Sequence, residues 1–293
     1  MIPVFQTLER VLDSDATVLI EGESGSGKDA LTQWLHHNSS RKHAPLLKLD
    51  LASLPEELVE SELFGYERGA FTGAQESKLG KFEMAHGGML VLDEIANVDL
   101  RVQAKLLHVV EAKEFFRLGG TRAIKLDSRI VVLSSIPLAE AVERRTFRQD
   151  LFFRLNLITI RIPTLRERRS ELVEITEHLL AQLNRKYGRE TKLAPECATI
   201  LANYDFPGNI RELRNGLERA LLMSEAGRIA PAALPRNWLT RRHQDTLPSL
   251  EDVERAHIIE VLNRTHGKKV KAAEILGISR KTLLEKRKKY GLE

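Results

Sequence analysis

The stretch LIEGESGSGKDA, Leu19 to Ala30, constrains this chain more than any other. A β-branched run ends at Ile20, Gly22-x-x-x-x-Gly27-Lys28 follows directly, and a helical period begins at once. Strand, glycine-rich turn, lysine and helix in that order form the P-loop pattern. Gly22, Gly25 and Gly27 allow backbone N–H groups to turn inward around phosphate oxygens, the helix N-terminus adds its positive dipole end, and Lys28 reaches the β- and γ-phosphates. The expected nucleotide-binding residues are therefore Gly22, Glu23, Ser24, Gly25, Ser26, Gly27, Lys28 and Asp29. Position 29 is a departure, because a Ser or Thr hydroxyl usually follows the lysine to hold Mg²⁺.

A P-loop requires a parallel sheet around it, and the first two-thirds of the chain supply one. Five short apolar runs read as strands: TVLI (Thr17 to Ile20), LLKLD (Leu46 to Asp50), MLVLD (Met89 to Asp93), RIVVLS (Arg129 to Ser134) and LITIRI (Leu157 to Ile162). They alternate with amphipathic stretches, as strands joined by helices do. Between the third and fourth, EFFRLGGTRAIKLD reads as a hairpin turning at Gly119-Gly120. The third strand ends in Asp93-Glu94. Asp93 is placed to hold Mg²⁺ through water, and Glu94 to orient or deprotonate the attacking water, as phosphoryl transfer needs. Together the two motifs point to nucleoside-triphosphate hydrolysis.

From about Ser170 the period is helical, with ELVEITEHLLAQLNRKYG closing on Gly188 as a C-cap. Two prolines and a polar, basic stretch from Leu234 to Leu250 read as a linker. The expected domains are an α/β ATPase subdomain over 1–169, a helical lid over 170–233, a linker over 234–248 and a DNA-binding unit over 249–293. Composition matters most at this last unit. The chain of 293 residues has a net charge of +4, yet residues 264–293 hold ten Lys and Arg against three acids. That balance of +7 leaves the remaining body at −3, and a basic end on a slightly acidic body suggests nucleic acid bound at one end.

Within that end, SLEDVERAHIIEVLNRTHG opens with Ser249 as an expected N-cap, Glu251 and Asp252 in the first turn, and closes on Gly267. Two short helices follow, about Lys269 to Leu276 and Arg280 to Tyr290. Ala273 and Gly277, four apart, place a small residue at a helix crossing and a glycine at a turn, as a helix-turn-helix needs. Ala272, Ile275, Leu276, Ile278, Leu283 and Leu284 are expected to supply the apolar faces. Docking would put Ser279, Arg280, Lys281 and Thr282 near base edges and Lys268, Lys269, Lys286, Arg287 and Lys288 near phosphates.

The lone Cys197 cannot form an internal disulfide and reads as a small buried residue. No apolar run spans a bilayer, and the N-terminus lacks a signal peptide's basic flank, so a cytoplasmic protein with no membrane partner is expected.

With ELFGYERGAFTGA, GGMLVLDE, FRQDLFFRLN and FPGNIRELRN in this order, the chain closely resembles the AAA+ ATPase domain of bacterial enhancer-binding proteins, the activators of sigma-54 RNA polymerase. Its basic end resembles the Fis-type helix-turn-helix of the same proteins. The resemblance implies an AAA+ α/β fold with a helical lid and an all-α DNA-binding domain, ATP and Mg²⁺ as ligands, a hexameric ring, and dimeric DNA-binding units on a roughly palindromic enhancer. It also implies that Gly69, Ala70, Phe71, Thr72, Gly73 and Ala74 form a loop that contacts sigma-54. Small residues would let that loop reorient while Phe71 and Thr72 are presented to the partner. Arg148 and Arg154 match fingers that act across the subunit boundary, and Arg211 matches the lid's sensor arginine.

Two positions depart from the family. Its second strand usually ends in Asn, which restrains the catalytic Glu; here Asp50 stands there and, if ionised, would repel Glu94 unless a proton or a Lys/Arg intervened. The sensor position, also usually Asn, is Ser135, a shorter donor expected to need a water to reach the γ-phosphate. A rival expectation follows from these: a nucleotide-sensing DNA-binding regulator with little productive hydrolysis. The family commonly begins with a receiver or ligand-sensing domain. The P-loop starting at Gly22 leaves no room for one, so either another protein restrains the activity in trans or the chain is a fragment or truncated member.

Overall fold

In the computed structural model, residues 1–224, 227–239, 250–265 and 268–290 are described. Nine strands and seven helices build the first part of the chain. The strands are β1 (Val18–Glu21), β2 (Leu46–Asp50), β3 (Gly65–Tyr66), β4 (Lys78–Leu79), β5 (Met89–Asp93), β6 (Glu114–Phe116), β7 (Ala123–Lys125), β8 (Arg129–Ser134) and β9 (Ile158–Arg161). The helices are α1 (Ile2–Glu9), α2 (Lys28–Asn38), α3 (Glu56–Phe64), α4 (Lys81–Met84), α5 (Leu100–Ala112), α6 (Leu138–Glu143) and α7 (Gln149–Leu155).

The five expected strands form one parallel sheet in the order β2-β5-β8-β1-β9. Side chains alternate between its faces, as the two-residue period of a strand dictates. Leu19, Leu49, Leu90, Leu92, Ile130 and Val132 enter one core with α3, α5 and α7. Val18, Ile20, Met89, Val91, Val131 and Leu133 enter the other with α1 and α2. Burial on both faces explains why β1, β5 and β8 read as nearly unbroken apolar runs, while the edge strands β2 and β9 keep exposed positions. β1 lies between β8 and β9, which places the P-loop at the sheet's carboxyl edge beside the end of β8. The expected hairpin is present as β6 and β7, paired antiparallel.

The lid follows, with α8 (Leu172–Tyr187), α9 (Pro195–Ala202), α10 (Asn209–Met223), α11 (Arg236–Leu239) and a small pairing of β10 (Lys192–Leu193) with β11 (Arg228–Ile229). Helix α8 ends at Gly188 in the left-handed conformation, φ 61°. Cys197 is buried in the lid core with Leu201, Leu213, Leu217 and Trp238. At Gly216 a Cβ would come within 2.2 Å of the Trp238 ring, so only glycine lets α10 approach it.

By its internal contacts the chain divides into residues 1–240 and 241–293. The second unit contains α12 (Leu250–Arg264), α13 (Lys269–Ile275) and α14 (Arg280–Lys289). Ile258, Val261, Ala272, Ala273 and Leu283 form its core, with Leu276 and Ile278 against it. Gly277 turns the chain at φ 63°, and Ser279 caps α14 by accepting from the Thr282 N–H at 3.0 Å. Two expected core residues are corrected: Ile275 and Leu284 are 56% and 57% exposed. Helices this short offer one inward stripe each, already filled by Ala272, Ala273 and Leu283. Of the expected linker 234–248, residues 234–239 belong instead to the lid, with Leu234 and Trp238 buried in its core because α11 packs there, while residues 240–248, Ser249 and Gly267 lie outside the described residues. Among the described residues no helix is long and apolar enough to cross a membrane.

Candidate active site

The P-loop leaves β1 at Glu21 and enters α2 at Lys28, with Gly25 and Gly27 at φ 76° and 110°. Such values strain any residue with a Cβ, so the turn depends on glycine. At Gly25 space forbids one as well, since a Cβ would meet the Gly208 carbonyl at 2.4 Å. Lys28 is buried and donates to its own loop's Gly22 carbonyl at 2.6 Å, with Glu94 3.9 Å away. Burial pulls the Lys28 ammonium below the ordinary lysine value, against the nearby Glu94, Asp93 and Asp29. Two buried polar atoms at this loop lack a partner: Ser26 Oγ and Arg168 Nε, whose guanidinium donates to the Ser26 carbonyl at 2.9 Å. A glycine-built turn, a desolvated lysine and an orphaned hydroxyl fit a polyphosphate.

Glu94 stands just beyond β5 in the left-handed conformation, φ 55° and ψ 46°, which costs about 1–3 kcal/mol for a residue with a side chain. The turn aims its carboxylate at Ser135, at the end of β8. Ser135 Oγ donates to Glu94 Oε2 at 2.6 Å and the Ser135 N–H donates to the same oxygen at 3.2 Å. Ser135 thus holds Glu94 directly. Asp50, where the family's restraining Asn stands, turns to its own chain: its carboxylate accepts from the Ala52 N–H at 3.1 Å and caps the short helical turn Leu51–Ser53. Glu94 instead pairs with Ser135 and, at 3.9 Å, with Lys28.

Asp93 and Asp29 share a cation that the sequence reading missed. Lys48, on β2, lies 2.7 Å from Asp93 Oδ2 and also pairs with Asp29. Asp93 Oδ1 accepts from the Glu94 N–H at 3.0 Å. Among the described residues no cluster of three or more His, Cys, Asp or Glu could hold a metal by itself. Mg²⁺ needs no such cluster, since it is commonly bound by one or two carboxylates together with substrate phosphates and water. Asp93 fits that role.

The lid reaches the P-loop through residues far apart in sequence. Arg211 Nη1 donates to Ser24 Oγ at 2.7 Å, and the Ile210 N–H donates to the Gly25 carbonyl at 3.0 Å. Buried Asn209 donates to Glu23 Oε2 at 3.0 Å and to the Ser24 carbonyl at 3.1 Å, while accepting from the Leu165 N–H. Arg166 makes a two-pronged pair with Glu23 at 2.5 and 2.9 Å. Hydrogen bonding from Arg166, with a smaller contribution from Asn209, holds the Glu23 carboxyl below its ordinary value against the opposing effect of burial. Arg211 alone of these lid-side residues was expected. The signal for Asn209 was present beside it, in FPGNIREL.

The two arginines matched to fingers sit on α7, and among the described residues neither bonds to its own P-loop. Arg148 caps the start of α7 and pairs with Asp150 at 2.7 Å; Arg154 is exposed and makes no ion pair.

The loop Gly69–Ala74 is closed at its base by the Gly69 N–H donating to the Ala74 carbonyl at 2.9 Å. Gly69 and Gly73 have φ 84° and 105°, with open space where a Cβ would stand. Phe71 is 47% exposed, its edge against the Tyr66 ring with centroids 5.0 Å apart. The β6–β7 hairpin braces this loop. Glu67 N–H donates to the Leu118 carbonyl at 3.0 Å, Arg117 pairs with Glu67 at 3.1 Å and Glu83 at 2.6 Å, and a Cβ on Gly119 would meet Ala70 at 2.9 Å.

In the separate C-terminal unit, Ser279, Arg280, Lys281 and Thr282 occupy the start of α14. Lys268, Lys269 and Lys288 are exposed. Lys286 is engaged within the unit, paired with Glu254, and Arg287 is half-buried.

A parallel sheet with a P-loop at its carboxyl edge, a strand-end Asp-Glu pair and an arginine-bearing helical lid define an AAA+ P-loop ATPase. The chain belongs to the family carrying the sigma-54 interaction domain: that model matches residues 1–161, an AAA+ ATPase lid domain matches 166–250, and a bacterial regulatory protein of the Fis family matches 249–290. Similar curated proteins include the transcriptional regulatory protein FlbD of Caulobacter vibrioides, 39% identical over 98% of this chain and 68% of its own length. The Nif-specific regulatory protein of Azotobacter vinelandii is 40% identical over 94% and 54%. The transcriptional regulatory protein ZraR of Salmonella typhimurium is 42% identical over 94% and 64%. This chain thus spans 54% to 68% of the length of these relatives. Among solved structures, NtrX from Brucella abortus in complex with ATP superposes with a TM-score of 0.76 at 33% identity, covering 99% of this chain and 67% of that one.

Proposed function

We propose that the protein is a sigma-54-dependent transcriptional activator that binds enhancer DNA through α13 and α14 and uses ATP hydrolysis in a hexameric ring to remodel the sigma-54 polymerase through residues 69–74. The observation that carries this reading is the position of the loop. Phe71 is held half out of the surface on a glycine-hinged, hairpin-braced segment of the same subdomain that bears the P-loop. An exposed ring on such backbone suits a surface pressed on another protein better than a core anchor.

Gly22 to Lys28 would hold the phosphates and Arg211 would sense them from the lid. Asp93 would hold Mg²⁺, which when bound supplies charge neutralisation at the β- and γ-phosphate oxygens. Glu94 would orient the attacking water once Ser135 releases it. Arg148 and Arg154 would act on the neighbouring subunit's nucleotide, which makes assembly a condition of turnover. Ser279 to Thr282 would read bases, with Lys268, Lys269, Arg287 and Lys288 on phosphates. Lys286 would first have to leave Glu254.

Replacing Thr72 with Ala tests the loop's role. The Thr72→Ala protein should keep its ATPase rate and lose transcription from a sigma-54 promoter; loss of both activities would make the loop a structural element. Glu94→Gln separates the activator from a regulator that only senses nucleotide, because a hydrolysis-driven activator must lose turnover with it.

A further inference from the structure

The Lys48 ammonium is the cation lying between Asp29 and Asp93. Asp29 occupies the position after Lys28 where a P-loop commonly offers a metal-binding hydroxyl, and Asp93 is the carboxylate at the end of β5. Lys48 lies two residues before the end of β2, next to β5 in parallel register, so its stem runs along the sheet toward the strand ends. Its ammonium lies 2.7 Å from Asp93 Oδ2 and also pairs with Asp29. Asp29 stands in the first turn of α2, where the helix dipole favours negative charge.

We propose that Lys48 is a positioning residue that competes with the divalent cation for Asp93. Its ammonium is shared by Asp29 and Asp93 when no metal is bound, offsetting one of their two charges, and must yield Asp93 before a metal can use that carboxylate. The inference rests on the reading of this loop as a magnesium–nucleotide site. Asp29 then has a role that a Ser or Thr could not fill: it retains Lys48 beside the phosphates after Asp93 is given up. Two consequences follow from charge alone. Nucleotide should bind appreciably without metal, because Lys48 already offsets one of the two carboxylate charges, and metal should improve that binding only modestly.

The test uses the whole chain and a fluorescent ADP analogue, with affinity measured in EDTA and in excess Mg²⁺. Removing a competing cation at hydrogen-bond distance should enlarge the ratio of the two affinities by at least about tenfold in Lys48→Met. Lys48→Gln, a polar replacement at a side chain that is 39% exposed, guards against misfolding and should behave alike. Lys48→Arg, which keeps the charge, should stay near the wild-type ratio. Nucleotide binding with an unchanged ratio in both Lys48→Met and Lys48→Gln overturns the proposal. Failure of the wild-type chain to bind the analogue in either buffer would instead overturn the nucleotide-site reading, and this inference with it.

Discussion

Ser135 Oγ sits 2.6 Å from Glu94 Oε2, and with its own N–H it donates twice to that oxygen. On the proposed mechanism, in which Glu94 orients the attacking water, a carboxylate so held would have to be released for hydrolysis. Hydrogen bonds to charged groups contribute about 1.5–3 kcal/mol. Ser135→Ala leaves one donor of the two and should raise basal ATP turnover several-fold in steady-state assays at ring-forming concentration. A rate below wild type would mean that the hydroxyl serves the phosphate during turnover.

Asp50, by contrast, caps a helical turn. Asp50→Ala should cost about 1 kcal/mol of stability, as cap removal does, and lower the melting temperature by a few degrees. ATP turnover should stay within about twofold of wild type, the scale of a cap lost away from the chemistry. A change in turnover as large as that of Ser135→Ala would return Asp50 to the relay.

Glu23 ties the P-loop to the lid through Arg166 and Asn209, and its carboxyl is held below the ordinary value of 4.5. A group whose pKa is lowered on folding contributes stability that is present above its unfolded value and is lost as pH falls through the folded value. Thermal melts of wild type and Glu23→Gln should therefore differ at pH 7 and converge as pH drops below 4.5. A gap that persists in acid would show that the pair contributes through packing rather than charge.

Arg148 and Arg154 bond to nothing in their own nucleotide site. Arginine fingers supplied in trans contribute about 10³ to 10⁵ in rate. Arg148→Ala and Glu94→Gln should each be nearly inactive alone, while their mixture recovers activity, since a sound P-loop from the first meets a sound finger from the second. A mixture no more active than its parts would place the arginine in its own subunit's site.

The sheet was legible because its interior strands β1, β5 and β8, buried on both faces, must read as apolar runs, and a P-loop fixes which ends carry chemistry. The relay behind it was not. Lys48 in LLKLD looks like the wet-facing residue of a half-exposed strand, and only the register of β2 on β5 brings it to Asp93. The Ser135–Glu94 bond depends on Glu94 taking φ 55°, a conformation no residue pattern announces. Arg166 and Asn209 meet Glu23 across 143 and 186 residues, contacts that belong to the packing of lid on sheet. Ile275 and Leu284 were placed inward on hydrophobicity alone, whereas the small α12–α14 core has room for fewer side chains.

The account stands or falls on ATP turnover that depends on assembly. Specific ATPase activity should be measured against protein concentration together with particle mass, for wild type and Glu94→Gln. The account predicts activity per chain that rises with ring formation in wild type, and Glu94→Gln rings of the same mass with little turnover. Activity per chain that is constant while the protein remains monomeric, or equal rates in the two proteins, would contradict it.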